Sequence, residues 1–324
     1  MEDLDLLSLP PEILAKIFSN IPWNQLINVK LTSRKFNYVT EKYLKDMQKP
    51  KISEIHFHNV YSYIDEIDRL EVTYEILRTD ANSCGNINRF MNTKFDLLPS
   101  EIDQLHSFLK KVDLTSLNLV DINLDNHTEA IRIFNGYFHN TNKIDDIYFV
   151  VRDSDKNFDD ILSFLQKIQN VGLLYLHLPL PHQNVPRDFI IPVRNSLEIL
   201  DIYERDDTAF FNPRIIKYIV ENNPDLRLYI LSFDNFKTYK MVIGTILKGV
   251  LSKRNNSCLH NCITLSFDLF KFEETSELLS YLYSEEFPYN ATNNMRKENI
   301  LYTGELRCPV CGKFDSIEIF DNEY

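Results

Sequence analysis

Glycine is scarce, at seven of 324 residues. Loops that cradle phosphate need glycine for close backbone approach, and neither GxxxxGK[ST] nor GxGxxG occurs. Cysteine is low and odd in number, five in all, which argues against a secreted disulfide framework. No run of about 18 apolar residues exists, so no segment reads as a bilayer-spanning helix. The nearest approach, Met241 to Leu251, is interrupted by Lys248. Basic charge is in deficit: Lys and Arg total 35 against 47 Asp and Glu, a net charge of -12. Nucleic acid and anionic membrane both attract positive surfaces, so neither is an expected partner. The opening Met1-Glu2-Asp3-Leu4-Asp5 is acidic where a secretory signal would be basic. The expected address is therefore intracellular, in cytoplasm or nucleus, and Asn-x-Ser/Thr triplets at Asn126, Asn255 and Asn290 are expected to be chance.

Catalytic constellations are missing as well. The eight histidines lie at 56, 58, 106, 127, 139, 177, 182 and 260, with no HExxH, GxSxG or HxE…PCxxC arrangement. His56 and His58 share one face of a strand, and His182 follows Pro181. Acidic pairs such as Asp145-Asp146, Asp159-Asp160 and Asp206-Asp207 read as solvated edges. The expectation is a protein that is not an enzyme.

What is present begins in the first fifty residues. Leu9-Pro10-Pro11-Glu12-Ile13-Leu14 opens a helix, with proline tolerated in the first turn and Glu12 complementing the positive end of the helix dipole. Ile13, Leu14, Ile17, Phe18 and Ile21 form one helical stripe, ended by Pro22. Asn24 is a candidate cap for a second short helix carrying Leu26, Ile27 and Val29. Thr32 or Ser33 caps a third, with Phe36, Val39, Tyr43 and Met47 on one face. Three short helices make a small core, whose apolar surface another chain is expected to complete. Residues 1–50 hold seven basic and six acidic residues, which leaves 28 and 41, a net -13, in the remainder.

The string LPPEILAKIFSNIPWNQLINVKLTSRKFNYV resembles an F-box. Leu9, Pro10, Glu12, Ile13, Ile17, Phe18, Leu26, Leu31, Ser33, Arg34 and Phe36 match the family pattern in register. Gln25, Thr32 and Phe36 stand where Asp, Val and Trp are commoner. The resemblance implies a docking module over residues 1–48 that binds a Skp-type adaptor and, through it, a cullin-based ubiquitin ligase. It implies adaptor contacts among Leu9, Pro10, Ile13, Leu14, Ile17, Phe18, Leu26 and Phe36. Apolar anchors from short helices in a partner groove would supply the affinity. Ile17, Phe18, Leu31 and Phe36 also suit an internal core.

From Leu114 onward, short apolar strands alternate with helices. Candidate strands are Leu117–Leu124, Ile144–Val151, Leu173–Leu178, Leu197–Tyr203 and Leu226–Leu231, spaced 29, 28, 25 and 29 residues apart between centres. Helical stretches fall at Glu129–Phe138, Phe158–Ile168 and Pro213–Val220. One strand and one helix per 20–29 residues is leucine-rich-repeat spacing, and such units must stack to close a core. None shows a full LxxLxLxxNxL, and a non-repeat α/β domain would alternate similarly. F-box followed by such repeats is a familiar arrangement; many nematode F-box proteins carry family-specific C-terminal domains instead. Earlier, Ile52–Phe57 and Leu70–Leu77 read as strands, Thr79 to Asp96 as a polar loop containing Cys84, and Glu101–Lys111 as a helix.

The tail holds the only ligand-type chemistry. Leu306-Arg307-Cys308-Pro309-Val310-Cys311-Gly312-Lys313 is a CPxCG turn between strand-like pieces Ile300–Leu306 and Ser316–Phe320. Two thiolates so spaced present both sulfurs to one metal, and Gly312 permits the bend. Cys258 and Cys262, 46 residues or more upstream of Cys308, would complete a four-thiolate structural zinc site, with His260 able to replace one of them. The expected fold is α/β: a three-helix F-box, an irregular leucine-rich-repeat-like β/α solenoid over 51–270 that binds a protein substrate, and a small C-terminal β cap over 258–324. The competing expectation is a protein-binding scaffold outside ubiquitin transfer.

Overall fold

The computed structural model describes residues 6–62, 67–78, 89–125, 129–152, 158–178, 185–186, 188–204, 210–233, 236–258, 260, 262–267, 272–292 and 300–321. Three helices open the chain: α1 (Pro11–Phe18), α2 (Trp23–Thr32) and α3 (Arg34–Lys42). Ser33 caps α3, its Oγ accepting the Lys35 amide at 3.2 Å. Pro22, rather than Asn24, occupies the cap position of α2, because the helix already begins at Trp23. Leu14, Ala15, Phe18, Leu26, Val39 and Met47 form a core of their own, with Phe36 packed against it. Lys35 donates to the carbonyls of Leu7 and Leu9 at 2.6 and 2.9 Å, tying α3 back to the start of the chain.

The remainder is built on one sheet. Its strands are β1 (Ile52–Ser62), β2 (Ile67–Arg78), β3 (Arg89–Leu97), β4 (Leu119–Leu124), β5 (Ile144–Val151), β6 (Val171–His177), β7 (Ile199–Glu204), β8 (Leu228–Phe233), β9 (Cys262–Phe267), β10 (Asn290–Ala291), β11 (Ile300–Arg307) and β12 (Phe314–Asp321). Among the described residues they make a 12-stranded sheet in the order β10-β11-β12-β9-β8-β7-β6-β5-β4-β1-β2-β3. From β1 through β4 to β9 and then β12, each strand pairs in parallel with the next. Antiparallel strands finish both edges, β2 and β3 at one and β11 and β10 at the other. Helices α4 (Asp103–Leu109), α5 (Glu129–Asn135), α6 (Phe158–Leu165), α7 (Pro213–Asn222), α8 (Phe236–Ser257) and α9 (Phe272–Leu282) fall between strands. A chain that always adds its next parallel strand on the same side, through right-handed crossovers, leaves its helices on one face.

Side-chain burial follows from that. β4 and β7 alternate half-buried and buried at every residue. The helix-facing set includes Ile55, Phe57, Val120, Ile122, Ile147, Phe149, Leu174, Leu176, Leu200 and Ile202, all but sealed from solvent. Phe149, Phe164, Phe138, Phe134 and Phe57 form a chain of rings with successive centroids 5.0–5.3 Å apart. The alternate positions of β4 and β7, which point to the other face, stay half-buried.

One expectation needs revision. The polar stretch Thr79 to Asp96 was expected to be a loop throughout, yet β3 runs from Arg89 to Leu97, because pairing with β2 supplies the backbone partners that its side chains do not advertise; Cys84 lies outside the described residues. The apolar stretch Met241 to Leu251 is the middle of α8, and no helix among the described residues is long and apolar enough to cross a membrane.

Candidate functional site

The N-terminal helices present an apolar surface as well as a core. Ile13 and Ile17, four apart on α1, are 42% and 39% exposed. Ile27 and Leu31, four apart on α2, are 51% and 82% exposed, and Leu6, Leu7 and Tyr38 are also open to solvent. Of the adaptor contacts expected from sequence, Pro10, Ile13 and Ile17 stand at the surface or near it. Leu14, Phe18 and Leu26 do not: they are the module's own core. Phe36 meets Phe18 edge to face at 5.1 Å, and Leu9 also packs on that core. Leu31, suited from sequence to an internal role, is outermost. The signal that separates these sets is present but ambiguous. Ile13-Leu14, Ile17-Phe18 and Leu26-Ile27 are adjacent apolar pairs, and a helix can turn only one of each pair inward.

Glu12 accepts the Tyr43 hydroxyl at 2.9 Å. Hydrogen bonding from its own backbone amide, then from Tyr43, holds the Glu12 carboxyl below its ordinary range. The module meets the sheet through Trp23, which packs against the large core, and through the chain itself, where the Asp113 amide donates to the Pro50 carbonyl at 2.9 Å.

The half-buried face of the sheet carries a polar and aromatic row. Parallel register places His56, Asp121, Tyr148, Tyr175 and Asp201 beside one another across β1, β4, β5, β6 and β7. A second row holds His58, Asn123, Val150, His177 and Tyr203. Tyr148 and Tyr175 lie 5.9 Å apart between centroids, and His177 and Tyr203 4.1 Å apart. Asp121 Oδ2 is 2.8 Å from His58 Nε2 and 3.4 Å from His56 Nδ1. Burial alone would raise the Asp121 carboxyl, but hydrogen bonds from His56 and His58 outweigh it and lower it to about 2. The Asp121 contact correspondingly raises His56 above its ordinary value, against its partial burial. The sequence showed the shared face of the two histidines; it gave no sign of Asp121, 63 residues beyond His58.

A third cluster lies at the other end of the sheet. Cys258, His260, Cys308 and Cys311 bring one ligand atom each to within 4.8 Å of one another. Cys262 is not among them. It is the first residue of β9 and exposed, whereas Cys258, at a φ of 50°, turns its sulfur toward the hairpin between β11 and β12. Of the expected ligands the structure gathers Cys258, Cys308 and Cys311 with His260, the candidate substitute, and leaves Cys262 outside the cluster. Desolvation, then the neighbouring Cys308 and Cys311 sulfurs, raises the Cys258 thiol above its ordinary value. His260 Nδ1 lies 2.9 Å from Asp315 Oδ1, and its Nε2 2.9 Å from Cys311 Sγ.

Comparison of the whole chain with curated proteins returns no match. The family model described as F-box-like matches residues 6–44, which span α1, α2, α3 and the chain leading into them. The N-terminal module with the exposed apolar ridges is an F-box-like domain.

Proposed function

We propose that the protein is the substrate-recognition subunit of a Skp–cullin–F-box ubiquitin ligase. The F-box-like domain docks a Skp-type adaptor, and through it a cullin. The sheet, an irregular leucine-rich-repeat-like solenoid closed by a C-terminal hairpin cap, holds a protein substrate. The chain performs no chemistry itself; it places the substrate near the ubiquitin-loaded enzyme.

The observation that carries this reading is the pair of exposed ridges, Ile13/Ile17 and Ile27/Leu31, on a domain whose own core is already filled by Leu14, Phe18 and Leu26. Apolar side chains left outside a complete core are what a partner groove would take up. The half-buried polar and aromatic sheet face supports the second half. Its tyrosines and histidines are semi-rigid, amphipathic contacts suited to a protein surface, and its carboxylates, with the net -13 beyond residue 50, favour a basic patch on the substrate.

Co-purification with a Skp-type adaptor and a cullin tests it, using wild type beside an Ile13→Asp, Leu31→Asp variant. Both substitutions lie on the surface, so the variant should keep its circular dichroism and melting. The wild type should retain both partners and the variant neither. A folded wild type that ignores both would overturn the reading and leave a binding scaffold outside ubiquitin transfer; a variant that still binds would place the docking surface elsewhere.

A further inference from the structure

We propose that Cys258, His260, Cys308 and Cys311 bind one zinc ion as a closed structural site that fastens the β11–β12 hairpin to the chain entering β9. The inference is independent of adaptor docking and concerns the opposite edge of the sheet.

The donor chemistry comes first. Thiolates and imidazole in a tetrahedral group of four select zinc over the hard cations, and a site whose four positions are all filled by protein is structural. In such a tetrahedron, with Zn–S bonds of about 2.3 Å, sulfurs stand roughly 3.8 Å apart. The four ligand atoms here lie within 4.8 Å of one another, so closing around an ion needs only small side-chain rotations.

The histidine is already aimed. Asp315, nearly buried, sits 2.9 Å from His260 Nδ1 and so takes that nitrogen's proton as a hydrogen bond. This fixes the tautomer whose free lone pair is on Nε2, the nitrogen that faces Cys311 Sγ at 2.9 Å. A carboxylate behind a histidine that points into three thiols is the second shell that zinc sites use.

The backbone is shaped for it as well. The Gly312 amide donates to the Cys308 carbonyl at 3.0 Å and the Cys308 amide to Lys313 at 2.7 Å, which closes the turn carrying Cys308 and Cys311. Gly312 takes a φ of 76° there. Cys258, just past α8, also adopts a left-handed φ, of 50°, where glycine is the usual residue. A non-glycine residue held in that region is strained, and this backbone turn aims the Cys258 sulfur at the other ligands. Three thiolates and one divalent ion leave a charge of -1. The Arg307 guanidinium, whose Nη2 comes within 3.6 Å of where a Gly312 Cβ would stand, lies against the same turn and offsets it. On binding, the three thiol protons leave to solvent, so affinity rises with pH.

The test is metal analysis of the full-length chain purified with zinc supplementation, together with cobalt titration of chelator-treated protein. Wild type and Cys262→Ser should each carry about one equivalent of zinc, and the Cys308→Ser, Cys311→Ser variant none. Asp315→Asn should weaken affinity roughly 10–100-fold without abolishing binding. The cobalt form should show the intense visible bands of a tetrahedral site with three sulfurs and one nitrogen, a readout that needs no variant to fold. Metal-free wild type with no cobalt spectrum overturns the site. Zinc lost in Cys262→Ser overturns this ligand set, and stoichiometric iron in place of zinc overturns the metal.

Discussion

The side-chain carbonyl of Asn223 accepts the backbone amide of Leu197 at 3.2 Å, across 26 residues of chain. The same side chain accepts the Ser196 amide at 3.3 Å and donates to the carbonyls of Val193 and Ile219 at 3.0 and 2.8 Å. Asn140 plays a similar part three strands earlier: it accepts the amides of Gln169 and Asn170 at 2.7 and 2.5 Å and donates to the Asn142 and Asn170 carbonyls. In each case an amide C-terminal to a helix satisfies the irregular backbone that leads into an adjoining unit's strand, β7 for Asn223 and β6 for Asn140. That is how stacked β/α units stay joined where no ladder bond reaches.

Asn223 is 2% exposed, so removing its amide strands buried donors and acceptors together. Asn223→Ala is expected to lose about 2–4 kcal/mol of stability in urea unfolding. Asn223→Asp keeps the acceptor but forfeits both donations and adds a buried charge, so it should be at least as damaging. A loss near zero for Asn223→Ala would mean that water replaces the amide and that the unit-to-unit bonds contribute little.

The His56–Asp121–His58 group gives a pH signature. His56 is raised by its Asp121 hydrogen bond, so its contribution to stability is full below about 6.5, its ordinary pKa, and is lost as pH rises through its folded value. Asp121 is depressed to about 2, so its contribution is present above its ordinary pKa near 4 and is lost as pH falls toward the folded value. The two overlap in a window from roughly pH 4 to 6.5. The stability difference between wild type and Asp121→Asn should be largest inside that window and shrink on both sides. NMR titration should show His56 moving down in the variant. An unmoved His56 would mean that the carboxylate does not hold it.

Much of this architecture was legible because hydrophobic alternation survives in the central strands. Ile144–Val151 is a strand with the bounds read from sequence, and α6 and α7 begin at the expected Phe158 and Pro213. β9, CITLSF, was missed because its alternate positions are cysteine, threonine and serine, which dilute the apolar signal of Ile263, Leu265 and Phe267. α9 was missed beside it, and α8 was seen only as an apolar stretch. At the sites, composition located the chemistry but not its orientation. A four-thiolate set placed Cys262 among the candidate ligands with His260 as its substitute, whereas the strand start at Cys262 and the left-handed turn at Cys258 bring His260 to the cluster instead. Among the F-box helices, packing decides which member of each apolar pair is core, and one sequence does not contain that decision.

Helices α7 and α8 approach closely at Gly249. A Cβ there would stand 2.6 Å from Val220 Cγ1 and 3.3 Å from its Cβ, and Val220 is 1% exposed. Gly249→Ala brings about 1 kcal/mol of helix propensity but forces the helices apart or Val220 off its rotamer, at about 1–3 kcal/mol. The single variant should therefore be neutral to destabilised, unlike an ordinary glycine replacement in a helix. Val220→Ala alone opens a void and should cost about 1–3 kcal/mol. Together the new methyl at 249 occupies the space vacated at 220, and the pair should be more stable than the sum of the single effects by about 1 kcal/mol or more. Additive losses would show that α8 shifts freely on α7 and that the absent side chain at 249 does not set their spacing.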